Sequence, residues 1–414
     1  MMNKKRPMRN HPSSRIFRSI AYGLILSRIF YGDAYAKTEN KLAVVSDFNL
    51  QGEFLGKVET ASPVLGVQVL ATGSGKFMAA FLNGGLPGAG WDGTTRVDQT
   101  GTVQADGVAF KPTDSTKEYT AMISADGSTI SGKTPKGELY TLNRAVRSSP
   151  TLGAAPPSNA TVLFNGTDLS SFVAGTAVLD SGLLLPTGSA SSGALTKKSF
   201  GNFTLHLEFL EPFMPDATGQ QRGNSGVYLQ GRYELQILDS FGLNIYRGRP
   251  GEETQECGAF YQLVAPKFNM SLPPLTWQTY DVEFTKAKFD AQGKTQIEPA
   301  VVTVRLNGVL IHENQKLINN TLLGDAVTSS DGPIRFQAHG DPVKYKNIWI
   351  VENAGTAIVP GAKEILPLKS GSIGSGSEFR SLSTINGRKL SDRPASGLYI
   401  SDVPGAEPEL LIGK

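Results

Sequence analysis

Asn224-Ser-Gly-Val-Tyr228-Leu-Gln230-Gly-Arg232-Tyr-Glu234-Leu-Gln236-Ile-Leu-Asp239 is the stretch on which the reading of this chain turns. At period two, Tyr228, Gln230, Arg232, Glu234 and Gln236 fall on one face. Leu229, Gly231, Tyr233, Leu235 and Ile237 fall on the other. That pattern predicts a long β-strand with a buried side and a polar side. A solvated face is usually mixed and rich in Lys, Thr and Ser. This one is a row of hydrogen-bonding groups with an acid and an arginine, which suits a polar, uncharged ligand such as a sugar.

The same periodicity recurs outward from this segment. Phe203, Leu205, Leu207 and Phe209 alternate with Thr204, His206 and Glu208. Gln278, Tyr280, Val282 and Phe284 alternate with Thr279, Asp281 and Glu283. Val302, Val304 and Leu306 oppose Thr303, Arg305 and Asn307, and Arg335, Gln337 and His339 oppose Phe336 and Ala338. Short alternating runs between Gly, Asp and Asn, with no long amphipathic helix, make the chain all-β. Strands in this number predict a two-sheet antiparallel jelly-roll sandwich over residues 159–352.

A small β-rich domain precedes it over residues 41–147, with a hairpin turn at Gly73-Ser-Gly75 and strands near 101–110, 118–124, 128–132 and 138–144. Its glycine-rich loop, 83–93, lacks the Lys-Ser/Thr ending of a phosphate loop and reads as a shaped turn around Trp91. Residues 148–158, with Pro150, Pro156 and Pro157, read as a linker. Residues 353–414 form a tail, Ser/Gly-rich at 369–378, in which 385–400 can make a terminal hairpin.

The first 36 residues read as an export signal. Lys4, Lys5, Arg6, Arg9, Arg15 and Arg18 precede an apolar run over 20–30, and Ala34-Tyr35-Ala36 fits a cleavage site. The run is short for a bilayer span, so no transmembrane segment is expected in the mature chain. The reading places the protein outside the cytoplasm, periplasmic or extracellular. The formal charge is +3 from 40 basic and 37 acidic residues. Without the leader's seven basic residues and one Asp the balance is 33 against 36, about −3, which disfavours a nucleic-acid partner. Cys257 is the single cysteine, which excludes an intrachain disulfide and a cysteine-based zinc site.

Several segments together resemble one bacterial family, the 3-keto-disaccharide hydrolase domain. They are Leu163-Phe-Asn-Gly-Thr-Asp168-Leu, the stretch from Gly223 to Ser240, and Cys257-Gly-Ala-Phe-Tyr261. Further on come Pro273-Pro274 with Trp277-Gln-Thr-Tyr-Asp281, Val304-Arg-Leu-Asn307-Gly-Val, and Gly332-Pro-Ile-Arg335-Phe-Gln337-Ala-His339-Gly. The resemblance covers about half the chain and implies a concanavalin-like jelly roll. It implies cleavage of glycosides whose C3 hydroxyl has been oxidised to a ketone, so the expected partner is an oxidised oligosaccharide or glycoside. Ala338 departs from the Asp that often precedes the histidine in that family.

A C3 ketone acidifies the C2 hydrogen, so a base can form an enolate that expels the C1 oxygen. Such chemistry needs a base, an enolate donor and an acid for the leaving group. Glu234 is the expected base, with His339 and Arg335 as acid and enolate donor. Asp239 would hold His339 or act as a second carboxylate. Asn224, Tyr228, Gln230, Arg232, Gln236 and Gln337 would bind hydroxyls. The Glu234-x-Gln236-x-x-Asp239 spacing is also similar to the acidic strand of retaining glucanases. Its end residues start about 16 Å apart on an ideal strand, however, against roughly 5 Å for a retaining pair. A divalent metal, calcium or a transition ion, stays open as a cofactor. Glu234, Asp239 and His339, or the loop 216–223, supply suitable oxygen and nitrogen types. A carbohydrate-binding module without catalysis and an envelope scaffold are the rival readings. His206 and His312 read as structural.

Overall fold

The protein is described from a computed structural model covering residues 47–59, 64–242, 252–352 and the paired strands 397–401 and 409–413. The leader at 1–36 and the stretch 369–378 lie outside the described residues.

Eight strands make the first domain: β1 (Gly52–Lys57), β2 (Val64–Ala71), β3 (Lys76–Asn83), β4 (Arg96–Gln104), β5 (Gly107–Phe110), β6 (Thr120–Ser124), β7 (Thr129–Lys133) and β8 (Leu139–Ala145). Each pairs with the next, and β1 pairs with β8, so the sheet closes into a barrel. Closure removes both sheet edges. Inward residues such as Phe54, Val67, Phe81, Phe110, Ile123 and Leu142 fill it. The strand expected at 101–110 is two strands, β4 and β5, joined by a tight turn at Ala105-Asp106.

The second domain holds β9 (Thr161–Phe164), β10 (Ala177–Asp180), β11 (Leu183–Pro186), β12 (Gly193–Phe200), β13 (Phe203–Leu210), β14 (Ser225–Leu229), β15 (Tyr233–Ile237), β16 (Gln278–Thr285), β17 (Lys288–Phe289), β18 (Gln296–Glu298), β19 (Ala300–Leu306), β20 (Val309–Leu317), β21 (Gly332–Gln337) and β22 (Lys344–Glu352). A large antiparallel sheet runs β10-β11-β22-β13-β16-β19-β20, with β9 also on β22. A smaller sheet runs β12-β21-β14-β15. The two share one core, to which Leu205, Leu207 and Val282 come from the large sheet and Val227, Leu235 and Phe336 from the small one. The chain is thus an all-β protein with a two-sheet antiparallel sandwich behind a barrel.

The segment that opened the sequence reading is not one strand. Gln230 (φ 54°) and Gly231 (φ 70°) are left-handed and reverse the chain. The Arg232 N–H donates to the Leu229 carbonyl at 3.0 Å, and β14 returns as β15. A left-handed residue is least costly at glycine, and a lone glycine inside an alternating run was the available signal. Tyr228 stands opposite Glu234 and Gly226 opposite Gln236, so those polar residues still share a face. Gln230 and Arg232 are carried out to the turn.

The expected linker is docked on the outer face of the large sheet. Ser149 Oγ lies 2.6 Å from Thr279 Oγ1, and Thr151 Oγ1 donates to Asp281 Oδ2 at 2.6 Å. The Gly153 N–H donates to Glu208 Oε1 at 2.6 Å. Barrel and sandwich also touch directly. Arg96 Nη2 donates to the Gly242 carbonyl at 2.8 Å, and Leu70 packs on Phe241. The terminal hairpin pairs β23 (Gly397–Ser401) with β24 (Glu409–Gly413), further along the chain than the expected 385–400. Among the described residues no helix is long and apolar enough to cross a membrane.

Candidate functional site

The inward side chains of β14 and β15 are Val227, Leu229, Leu235 and Ile237. Tyr228, Glu234 and Gln236 therefore point the other way, off the outer face of the small sheet. Arg335 and Gln337 of β21 join them, since Tyr228 pairs with Arg335. Loops wall this face and leave a cavity of about 80 Å³. Its lining includes Glu234, Gln236, Gln337, His339, Asn224 and Gln220, with Tyr261 and Leu322–Leu323 on the walls.

Glu234 is 3% exposed. Its Oε2 accepts from the Tyr228 hydroxyl at 2.8 Å. Burial lifts its carboxyl to about 7, against the Tyr228 hydrogen bond and the Arg335 charge, which pull it down. A carboxyl near 7 can hold or release a proton at neutral pH. His339 is half-buried and lines the same cavity.

Two glutamines lie beside the acid. Gln236 and Gln337 are 1% and 4% exposed. Each has a buried amide oxygen with no hydrogen-bond partner in the protein. A buried acceptor left unpaired costs roughly 1–3 kcal/mol.

Residues 159–351 match the model of the 3-keto-alpha-glucoside-1,2-lyase-like domain family. The second domain belongs to this family. Among solved structures, the lyase-like domain is similar to three candidate glycosyl hydrolases from Parabacteroides distasonis. The first is 31% identical over 48% of this chain and 85% of that one, with a TM-score of 0.41. The second is 19% identical over 47% and 94%, with a TM-score of 0.33. The third is 21% identical over 47% and 99%, with a TM-score of 0.34. No curated protein matches the chain. Membership in this family supports a carbohydrate-active function for the domain.

Not every expected residue reaches the cavity of the lyase-like domain. Arg232 is spent on structure: it donates to the carbonyls of Ala326 and Ser330, to Thr328 Oγ1 and to Gln230 Oε1. Gln230 in turn donates to the Phe200 carbonyl. Both residues strap the loop after β20 and the β12–β13 corner, because the turn at Gly231 swings them off the polar row. Arg335 stacks on the Tyr228 ring at 3.8 Å and donates to the Ser191 and Leu323 carbonyls. It acts behind Glu234 rather than in the cavity. Tyr228 likewise lies beneath Glu234 and is not part of the lining.

Asp239 also falls outside the lining. Its Oδ2 accepts from Arg222 Nε at 2.7 Å, and burial raises its pKa. The second carboxylate of a retaining pair is therefore missing from the cavity, and so is one of the three proposed metal ligands. The 216–223 loop does not fit calcium either. Arg222 Nη1 occupies its centre, donating to the Met214, Pro215 and Ala217 carbonyls at 3.2, 3.1 and 3.4 Å. Among the described residues no three His, Cys, Asp or Glu side chains converge.

Gln220, Tyr261 and the two leucines were not singled out as site residues from the sequence. Tyr261 closes one of the family segments, and Gln220 sits in the loop read as a cation site. Nothing local marks the leucines, because exposure is a tertiary property. Cys257 is buried against Tyr280 and its thiol is pushed up to about 12, which suits a packing role. His312 also packs, its Nε2 lying 2.7 Å from the Gly258 carbonyl.

Proposed function

We propose that the lyase-like domain cleaves the glycosidic bond of 3-keto-glycosides in this cavity, on a jelly-roll scaffold and outside the cytoplasm. One observation carries the reading: a buried carboxyl lifted to about 7 shares a small cavity with an imidazole and the side chains of Gln236, Gln337 and Asn224. The chain crosses repeatedly between the two sheets from β12 to β22, which supports the jelly-roll description.

In the proposed step the Glu234 carboxylate takes the proton from C2. The C2–H electron pair forms a C1–C2 double bond through the enolate of the C3 ketone. The C1–O bond breaks, and the departing oxygen takes a proton from His339. Addition of water across the double bond would turn elimination into hydrolysis. Tyr228 holds the Glu234 carboxylate in place, and Arg335 keeps the Tyr228 ring in position through its face. Tyr261 also lines the cavity, with its hydroxyl donating to Gln255 Oε1 at 3.3 Å.

The test is incubation of the purified full chain with 3-keto-glucosides, with and without EDTA, followed by mass spectrometry. Cleavage is expected, and Glu234→Gln should lower kcat by about 10²–10⁴. Intact substrate with every metal supplied would overturn the catalytic reading. A non-catalytic binding module would keep sugar affinity in Glu234→Gln and show no turnover in either form. Fractionation of cells expressing the full chain checks export.

A further inference from the structure

The loop that walls the cavity between β13 and β14, residues 211–224, has little structure of its own. It holds one short 3-10 turn, Gly219–Gln221, with no side-chain cap at its start and no buried residue. Yet this loop brings Gln220 and Asn224 to the lining. Asn224 Nδ2 donates to the Gln220 carbonyl and to Gln220 Oε1, each at 2.9 Å, which ties the pair together.

The support behind the loop comes from the barrel. Phe213 packs on the barrel core, and its ring meets Phe48 edge-on with centroids 5.3 Å apart. Phe48 belongs to the helical turn at 47–50, which is joined to the β2–β3 corner because Asp47 Oδ2 accepts from the Gly75 N–H at 3.2 Å. At the same corner Gly73 is left-handed (φ 82°), and a methyl group there would overlap the Asp216 carboxylate. Arg222 closes the arrangement. The guanidinium that gathers the 214, 215 and 217 carbonyls also donates through Nη2 to the Ala71 carbonyl, at the end of β2, at 3.3 Å. Its own carbonyl accepts from the Asp239 N–H at 3.1 Å, and two residues later Phe241 packs on Leu70 of β2.

We propose that the barrel is a positioning domain for the cavity: the turn at 47–50 and the β2–β3 corner form a platform that sets the 211–224 wall, with Phe213 and Arg222 as positioning residues. Among the described residues none of the barrel lines the cavity, and the family match at 159–351 leaves the barrel out. The platform acts on binding, because it sets Gln220 and Asn224. Glu234 sits on β15 and is held by Tyr228 of β14, inside the small sheet. The kinetic consequence rests on the proposed cleavage of 3-keto-glycosides, while the ordering of the loop does not.

The experiment removes the barrel's side of the contact in the full chain, with Phe48→Ala. With methyl 3-keto-α-glucoside, KM should rise about tenfold, with kcat within about threefold of wild type and the acidic limb of the pH profile unmoved. Phe48→Leu should recover most of the loss. In hydrogen–deuterium exchange, peptides across 212–224 should take up label faster in Phe48→Ala, and peptides across β14 and β15 should not change. Gly73→Ala reaches the same loop by adding bulk and should raise KM in the same way. Asp216→Ala in that chain should restore most of it, since it removes the atoms that the methyl meets.

Exchange across 212–224 equal to wild type in Phe48→Ala and Gly73→Ala would overturn the proposal. So would faster exchange with KM unmoved, or a fall in activity per total protein with KM unmoved, which is what a smaller folded fraction gives. If no 3-keto-glucoside is cleaved, faster exchange confined to 212–224 would sustain the platform and sink the cleavage reading alone.

Discussion

The sandwich carries two histidine–carboxylate neighbourhoods, one on each outer face, and they have opposite character. On the large sheet, His206 Nδ1 meets Asp281 Oδ1 at 2.6 Å, and Nε2 lies 3.6 Å from Glu208. Thr151, Gly153 and Asn347 complete the carboxylates, and Trp349 stacks on the ring. The docked linker seals this cluster from water. On the small sheet, Glu234 and His339 share an open cavity with Gln236, Gln337 and Asn224. Proximity of a histidine to an acid therefore does not mark a site in this molecule. Access does, since only a group that a ligand can reach has anything to offer it.

The sharpest way to break that comparison is to neutralise one acid from each neighbourhood. Glu234→Gln should lose about 10²–10⁴ in kcat and keep its Tm, because it removes an acid whose charged form burial disfavours. Asp281→Asn should keep kcat per folded molecule and lose on the order of 3–5 kcal/mol in urea unfolding, because His206 and Thr151 lose a buried charged partner. The opposite pattern would reverse the assignment of the two clusters.

Next in size is the pH dependence of stability. Burial works against a charged His206, but hydrogen bonds and charge from Asp281 and Glu208 outweigh it and raise the ring to about 9. A raised histidine pKa stabilises the fold fully below its unfolded value, near 6.5, and the benefit is lost as pH rises through about 9. On the order of 3 kcal/mol should disappear from unfolding free energies between pH 6.5 and 9.5. The dependence should flatten in His206→Gln.

The smallest effect belongs to the cavity. Tyr228→Phe removes a hydrogen bond that favours the Glu234 carboxylate. The acidic limb of the kcat/KM profile should begin near pH 7 in the wild type and move up by about half to one pH unit in the variant. An unmoved limb would separate Glu234 from the titration.

Much of the architecture was legible from periodicity. Phe203-Thr-Leu-His-Leu-Glu-Phe209 can bury its aromatic and aliphatic side only as a strand, and it does so as β13. The motif around Glu234 was legible as a polar face, and Tyr228, Glu234 and Gln236 do share one. Gln230 and Arg232 were misplaced because a glycine turn preserves the parity of the row while changing its direction in space. Asp239 was misplaced because its partner, Arg222, is 17 residues away in sequence and its pairing is a matter of folding. Leu322 and Leu323 carried no local signal, and Gln220 was read as part of a cation loop that Arg222 fills instead.

By itself the sequence determined that this chain is all-β, that its second domain carries the lyase-like family segments, and that one polar row includes Glu234. Those facts follow from residue order, because side-chain alternation and motif spacing are local properties of the backbone. Only the tertiary structure decided which of the row's members meet a cavity, which acid is neutralised by an arginine, and which amide oxygens remain unpaired. Burial and hydrogen-bond satisfaction depend on what every other segment brings to the same point in space, and no stretch of sequence contains that sum.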